Sequence, residues 1–173
     1  MPTTEFYYLQ RSVDSFGWRV GLCNKSRWED LRNFSFNLGA KPFRPSFKFK
    51  GRKASDVLIC QSTLLINKKV KVIFEAEKLT GYSSFPIRIS GNFDDQYSGL
   101  LIKGKASRNL TIRNAVQDVI AGFDPKSWDG SDIFSIGTTA LIIVTKRVKD
   151  VLKSSHITGI NVTKFNPQGT KIV

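Results

Sequence analysis

Short apolar and aromatic runs, each bounded by polar or turn-forming residues, predict a chain made mostly of strands. Residues 5–10 are rich in aromatic side chains and predict an opening strand. Further strands are predicted at residues 97–103, 133–136 and 140–144, where apolar residues dominate. Residues 26–31 predict a short helix with its first residue, a serine, as the N-cap.

One pattern occurs twice, in residues 64–81 and 142–159, at a constant offset of 78 residues. Each copy starts with an apolar strand that ends at a capping residue, Asn67 or Thr145. A helix follows in each copy, with apolar residues at helical spacing. These predicted core positions are Val70, Ile73 and Phe74 in the first copy and Val148, Val151 and Leu152 in the second.

A glycine stands at the same place after each predicted helix. Gly81 and Gly159 come where a helix needs a left-handed residue to close, or in the turn just after it. Extended segments follow both glycines. The repeat therefore predicts two related structural units rather than one continuous pattern.

The order of these elements predicts an α+β fold with a mixed sheet. Two similar strand–helix–strand units, at about residues 64–89 and 142–165, are expected to pack on a shared core. At 173 residues the chain suits a single domain, residues 1–173. Within it, residues 1–55 are expected to hold a strand, a helix and a basic aromatic segment, and residues 56–173 the two-unit core.

The charge changes this picture, because it predicts an anionic partner. Lysine and arginine total 27 against 14 aspartate and glutamate residues, which gives a formal net charge of +13. Such a field attracts nucleic acid, an anionic membrane surface or an acidic protein. The N-terminal residues show no secretory signal, and no apolar run could span a bilayer, so we expect a cytoplasmic protein without membrane insertion.

The densest basic stretch is residues 41–53, which hold six cations, no acid, two prolines and three phenylalanines. The prolines exclude a helix interior, so an extended arm or an edge strand is expected. Phe47 and Phe49 alternate with Lys48 and Lys50. That alternation is typical of a half-buried strand, and equally of a surface that stacks bases and binds phosphates. Nucleic-acid binding is therefore an alternative function.

Candidate chemistry is sparse. His156 is the single histidine and lies at the end of the second predicted helix, and Cys23 and Cys60 are expected to be buried free thiols. No metal set, catalytic triad or phosphate loop is recognisable, so we expect no enzyme activity and no cofactor. Three acids of one turn-rich loop, Asp124, Asp129 and Asp132, could bind a divalent cation or could cap turns.

The second copy of the repeat and its neighbouring residues contain a distinctive series: Ile133 and Phe134, the string LIIVTKRVKDVL at residues 141–152, and ITGI at residues 157–160. Through this series, residues 56–167 resemble an immunity-protein family of bacterial polymorphic and contact-dependent toxin systems. A loop of similar character precedes this series, formed here by Asp124, Ser127, Trp128, Gly130 and Asp132. Paired CxxC motifs, which some relatives carry, are absent from this sequence.

The resemblance implies a protein that neutralises a cognate toxin by binding it, without chemistry of its own. Because the chain is basic, that toxin domain is expected to be acidic. Lys48, Lys50, Arg52 and Lys53 are candidate residues for steering the partner. Trp128 is a candidate aromatic anchor, since tryptophan is enriched at interface centres.

Overall fold

The computed structural model describes residues 4–12, 19–22, 46–50, 55–60, 63–90, 97–113, 118–137 and 141–172. Strands and two α-helices make up these residues, which confirms the predicted α+β fold. The strands are β1 (Phe6–Arg11), β2 (Arg19–Leu22), β3 (Ser46–Lys50), β4 (Val57–Cys60), β5 (Thr63–Asn67), β6 (Tyr82–Pro86), β7 (Arg88–Ser90), β8 (Tyr97–Ile102), β9 (Gly104–Ala106), β10 (Arg108–Arg113), β11 (Asp118–Phe123), β12 (Ile133–Ile136), β13 (Ile142–Thr145), β14 (Ile160–Phe165) and β15 (Thr170–Ile172). The helices are α1 (Lys68–Ala76) and α2 (Lys146–Ser154), and a 3-10 helix spans Pro125–Ser127.

Two larger sheets carry the repeated units. The first has the strand order β4-β5-β8-β6, and the second has the order β9-β12-β13-β1-β14. Neighbours are antiparallel in both sheets except for β9 and β12, which are parallel. Two three-stranded sheets, β2-β3-β7 and β10-β11-β15, complete the described structure.

The two larger sheets contain one strand each from the opposite half of the chain. β8 lies between β5 and β6, and β1 takes the same place between β13 and β14. The registers agree as well. Ser98 pairs with Ile66 and Tyr7 pairs with Val144, and the 78-residue offset makes Ile66 and Val144 equivalent. The structure is thus a tandem repeat, β1–β7 followed by β8–β15, in which the first strands of the two halves are exchanged.

Both helices of the repeat are present and begin after the predicted capping residues, but only one has the predicted side-chain hydrogen bond. The Asn67 side chain accepts a hydrogen bond from the Val70 N–H at 3.0 Å, as an N-cap does. Thr145 is the N-cap residue of α2, as predicted, but its side chain makes no such bond, so only the predicted capping hydrogen bond is wrong there. Its hydroxyl donates instead to the carboxylate of Asp132, at 3.2 Å.

Each helix ends on a left-handed residue that is not glycine. Lys78 (φ 49°) and His156 (φ 50°) close α1 and α2, and Gly81 (φ 89°) and Gly159 (φ 95°) stand in the turns just after. The second of the two predicted places for the glycines is therefore the observed one.

Those glycines are required by close approach between the two units. A Cβ atom on Gly81 would lie 1.9 Å from the carbonyl oxygen of Ile133, and one on Gly159 would lie 2.1 Å from that of Val57. No side chain fits such a gap. The turn after α1 therefore lies directly against β12, and the turn after α2 lies directly against β4.

The two units share one hydrophobic core, as predicted. Its buried residues come from both larger sheets and both helices: Tyr7, Val57, Leu64, Ile66, Val70, Phe74, Leu79, Leu100, Ile133, Ile142, Val144, Val148 and Leu152. A second, aromatic core covers the other face of the second unit's sheet and includes Phe6, Phe123, Phe134 and Phe165.

One expectation about the basic segment is wrong. β3 carries its Phe–Lys alternation, but it lies between β2 and β7 and is a central strand, not an edge strand or a free arm. Its neighbours come from both sides of the sequence, which a local pattern does not reveal. The predicted helix at residues 26–31, Cys23, and the rest of the basic segment lie outside the described residues, and the division at residue 55 stays a prediction.

Candidate functional site

The residues predicted to steer a partner are described only in part. Lys48 and Lys50 lie in β3, where Lys48 is paired with Gly21 of β2 and with Ser90 of β7. Arg52 and Lys53 lie outside the described residues. Their role in partner binding therefore stays a prediction.

Trp128, the predicted anchor, is half-buried in the aromatic core. Its ring centroid lies 5.1 Å from that of Phe6 and 5.7 Å from that of Phe134. The indole N–H donates to the carbonyl oxygen of Ser131 at 3.0 Å. Most of this side chain is thus used internally, and its remaining surface lines an open groove of about 800 Å³ together with Pro125, Phe165 and Pro167, among others.

The acids of the turn-rich loop bind backbone groups, as the capping interpretation predicted. Asp124 accepts a hydrogen bond from the Lys126 N–H at 3.0 Å. Asp129 accepts from the N–H groups of Lys105, at 2.8 Å, and Ser131, at 3.0 Å. Burial raises the pKa of Asp129, but these hydrogen bonds outweigh it and hold the pKa below its usual value. Within the described ranges no three potential metal ligands come together.

Asp132 joins the end of the first unit to the start of the second, and we call this arrangement the Asp132 clamp. One carboxylate oxygen accepts from the N–H and the hydroxyl of Thr80, both at 3.0 Å. The other oxygen accepts from the hydroxyl of Thr145, the residue before α2. The carboxylate is buried and holds the turn after α1 beside the first residue of α2.

Asp56 repeats this arrangement in the opposite direction, as the Asp56 clamp. Its carboxylate accepts from the N–H and hydroxyl of Thr158, both at 2.9 Å, and from the side-chain amide of Asn67, at 2.8 Å. Burial raises its pKa, but the bonds from Thr158 and Asn67 and the charge of Lys69 bring the pKa below its usual value.

The clamps determine how the helices lie relative to each other. Because Asp56 contacts both Asn67 and Thr158, the start of α1 lies beside the end of α2. At the opposite end, Arg147 donates to the carbonyl oxygen of Glu77, so α2 starts beside the end of α1. The helices therefore run antiparallel over the shared core, and we call this pair the helical layer.

The outer surface of the helical layer is rich in cations. Neither helix has an acid in its first turn, and both begin with two basic residues, Lys68 and Lys69 in α1 and Lys146 and Arg147 in α2. A cation in the first turn opposes the helix dipole by about 0.3–1 kcal/mol, so folding does not favour this choice of residues. Such a rigid, basic surface can bind an anionic surface.

Sequence reasoning missed the clamps and the helical layer. Asp56 and Asp132 lie 76 residues apart, outside the segments that repeat at 78, so the alignment did not bring them together. The signal that could have found them was the pair of identical threonines, Thr80 and Thr158, each directly before the glycine of its turn.

Over the described part of the chain, no helix is long and apolar enough to cross a membrane. Comparison of the sequence with models of known families found no match, and comparison with curated proteins also found none.

Proposed function

We propose that this protein is an immunity protein that binds the acidic surface of a cognate bacterial toxin and blocks it by occlusion, without catalysis. The observation that carries the proposal is the helical layer, whose solvent side shows cations on two helices fixed by the clamps. A preformed charged surface speeds encounter with an oppositely charged protein. The resemblance of residues 56–167 to immunity proteins supports the same function.

The polar groups of the described core are consistent with a binding role. The carboxylates of Asp56 and Asp132, its most deeply placed acids, accept hydrogen bonds from threonine and asparagine side chains and from backbone N–H groups. Acids committed in this way stabilise the fold, and the exposed helix acids Glu75 and Asp150 are paired with lysines.

Stoichiometric titration tests the proposal. The product of the adjacent gene, which the proposal expects to carry the toxin domain, would be expressed in a bacterial host with and without this protein, and growth would be followed. We expect growth arrest that this protein relieves. With purified proteins, occlusion requires one equivalent for full neutralisation, whereas a catalytic antidote acts at far less than one. The proposal would be contradicted if the product of the adjacent gene did not arrest growth, or if a small fraction of one equivalent of this protein neutralised it.

Nucleic-acid binding through β3 is the second candidate. The specific observation is that Lys48 and Lys50 alternate with phenylalanines on a strand that is paired on both sides. Fluorescence polarisation with a labelled single-stranded oligonucleotide tests it, since phosphate contacts make affinity fall steeply with salt. A salt-independent or undetectable signal would remove this candidate.

A further inference from the structure

The two ends of the helical layer carry different charge. At the end where α1 begins and α2 closes, the cations are Lys68, Lys69, Lys71 and Lys153, and the Asp56 carboxylate is the acid of the clamp. We call this the basic end. At the other end, Lys78, Lys146, Arg147 and Lys149 are accompanied by Glu77, Asp132 and Asp150. Lys71 is also paired with Glu75, one turn further along α1. Four cations against two acids leave the first end at +2, and four against three leave the second end at +1.

A single pair of equivalent positions produces much of this difference. In α2, Lys146 forms an ion pair with Asp150, one turn further along. In α1, Val72 occupies the position that corresponds to Asp150, so Lys68 has no acid at that spacing. Neither Lys68 nor Lys153 forms an ion pair with another described residue, and both are exposed.

Val72 is itself unusual, because 54% of it is exposed. Among the described residues, no other large hydrophobic side chain is exposed to this extent. It lies one helical turn after Lys68 and Lys69. Of the lysines near it, Lys69 is paired with Asp56 and Lys71 with Glu75, whereas Lys68 has no acid among the described residues. An exposed apolar side chain beside cations suits a protein interface, since burial of the apolar group adds to electrostatic attraction.

A groove adjoins the basic end. It measures about 450 Å³ and runs along the end of α2 against β14, where Lys153, His156, Ile157 and Val162 contribute to its walls. Its lining is half apolar and half polar, with Lys153 as its lysine, and such a groove suits a partner side chain that enters beside an acidic surface.

We propose that the basic end, with Val72 at its centre and the adjoining groove, is the surface that docks an acidic protein. This inference rests on the proposed function, because the toxin is the partner that it would receive. A protein fits better than nucleic acid here. No aromatic side chain whose exposure the structure describes is exposed, whereas single-stranded nucleic acid is bound by stacking its bases on exposed rings.

The second unit supplies the design of the test. Val72→Asp makes α1 resemble α2 and gives Lys68 an acid at the spacing that Lys146 already uses. We expect this variant to lower the association rate with the toxin domain at low salt at least tenfold while leaving the thermal midpoint unchanged or slightly raised. An unchanged association rate would overturn the inference.

Charge reversal gives a matched comparison. Lys68→Glu with Lys153→Glu and, as the control, Lys105→Glu with Lys126→Glu each change the net charge from +13 to +9. All four lysines are exposed. The first pair is expected to slow association at least tenfold and the control less than twofold. Equal slowing by both pairs would show that total charge matters and not this surface.

A probe that does not depend on the toxin separates the two proposals. Poly-L-glutamate would be titrated into ¹⁵N-labelled protein, and we expect amide shifts concentrated at residues 67–72 and 152–158. If the toxin domain fails to bind but this map is obtained, the proposed function is wrong and the surface stands. Shifts elsewhere would overturn the surface. Displacement of poly-L-glutamate by a single-stranded oligonucleotide at lower concentration would overturn the choice of a protein partner.

Discussion

Two glycines with the same backbone conformation but different surroundings measure how tightly the two units press together. Gly81 (φ 89°) and Gly130 (φ 83°) both have positive φ. A Cβ atom on Gly130 would meet nothing within 4 Å, whereas one on Gly81 would lie 1.9 Å from the Ile133 carbonyl oxygen and 2.7 Å from the Ser131 Cβ. Substitution by alanine at the two sites therefore shares the conformational cost and differs in the steric cost.

The expected magnitudes follow from the contacts around each glycine. Gly130→Ala should cost about 1 kcal/mol, because conformational strain of about 1–2 kcal/mol is offset in part by the lower entropy of the unfolded chain. Gly81→Ala must also move backbone that makes three hydrogen bonds. These are the bonds from the Lys103 and Gly104 N–H groups to the Gly81 oxygen, at 2.8 and 3.0 Å, and from the Ile133 N–H to the Thr80 oxygen, at 3.1 Å. At about 1 kcal/mol for each bond, the total cost is about 4 kcal/mol.

Urea unfolding of the two variants and the parent protein checks this difference. With a slope of about 1–3 kcal/mol per M urea, a loss of 4 kcal/mol lowers the midpoint by more than about 1 M, and the Gly130→Ala midpoint should shift much less. Tryptophan fluorescence is a suitable signal, because Trp128 packs in the aromatic core. Equal losses in the two variants, within about 0.5 kcal/mol, would refute the close approach of the units.

Three further predictions address the clamps and the exchanged strand. Asp132→Ala should lower the free energy of unfolding by about 3 kcal/mol, since it leaves the buried Thr145 hydroxyl and two part-buried donors of Thr80 without their acceptor. Asp124→Ala, at an exposed turn, should cost less than about 1 kcal/mol, and denaturant titration compares the two variants. The pKa of Asp56 is lowered in the folded protein, so its contribution to the free energy of unfolding is present above the ordinary pKa of 3.8 and is lost as the pH falls through the folded pKa. Asp56→Asn should therefore flatten the acid limb of a curve of stability against pH. An unchanged acid limb would contradict this. Removal of residues 1–12 takes β1 from between β13 and β14, and calorimetry should then show no cooperative unfolding transition.

Features that depend on neighbours along the chain could be predicted from the sequence. Val70 and Phe74, like Val148 and Leu152, are buried as their helical spacing predicts. The apolar runs that became β1, β8 and β13 were also recognised as strands, because period and composition are local properties.

Features that depend on distant pairing could not be predicted in this way. Nothing near residues 6–11 indicates that β1 pairs with β13 and β14, more than 130 residues later in the chain. The same limit explains why β3 was expected at an edge. The role of Trp128 as a partner anchor stays a prediction, but the packing of this residue could not be foreseen. Its ring contacts come from Phe6 and Phe134, which the fold alone brings to it.

Comparison of equivalent positions in the two units distinguishes residues that the fold requires from residues that can vary without affecting it. Positions that hold the units together have the same chemistry in both copies, as the Asp56–Thr158 and Asp132–Thr80 contacts show. Val72 and Asp150 occupy equivalent exposed positions where no such constraint acts. An ion pair at this spacing would stabilise α1 by about 0.3–0.5 kcal/mol, and α1 does without one while keeping two cations in its first turn. Helix stability therefore does not account for valine at position 72, whereas the proposed docking of an acidic partner would account for it.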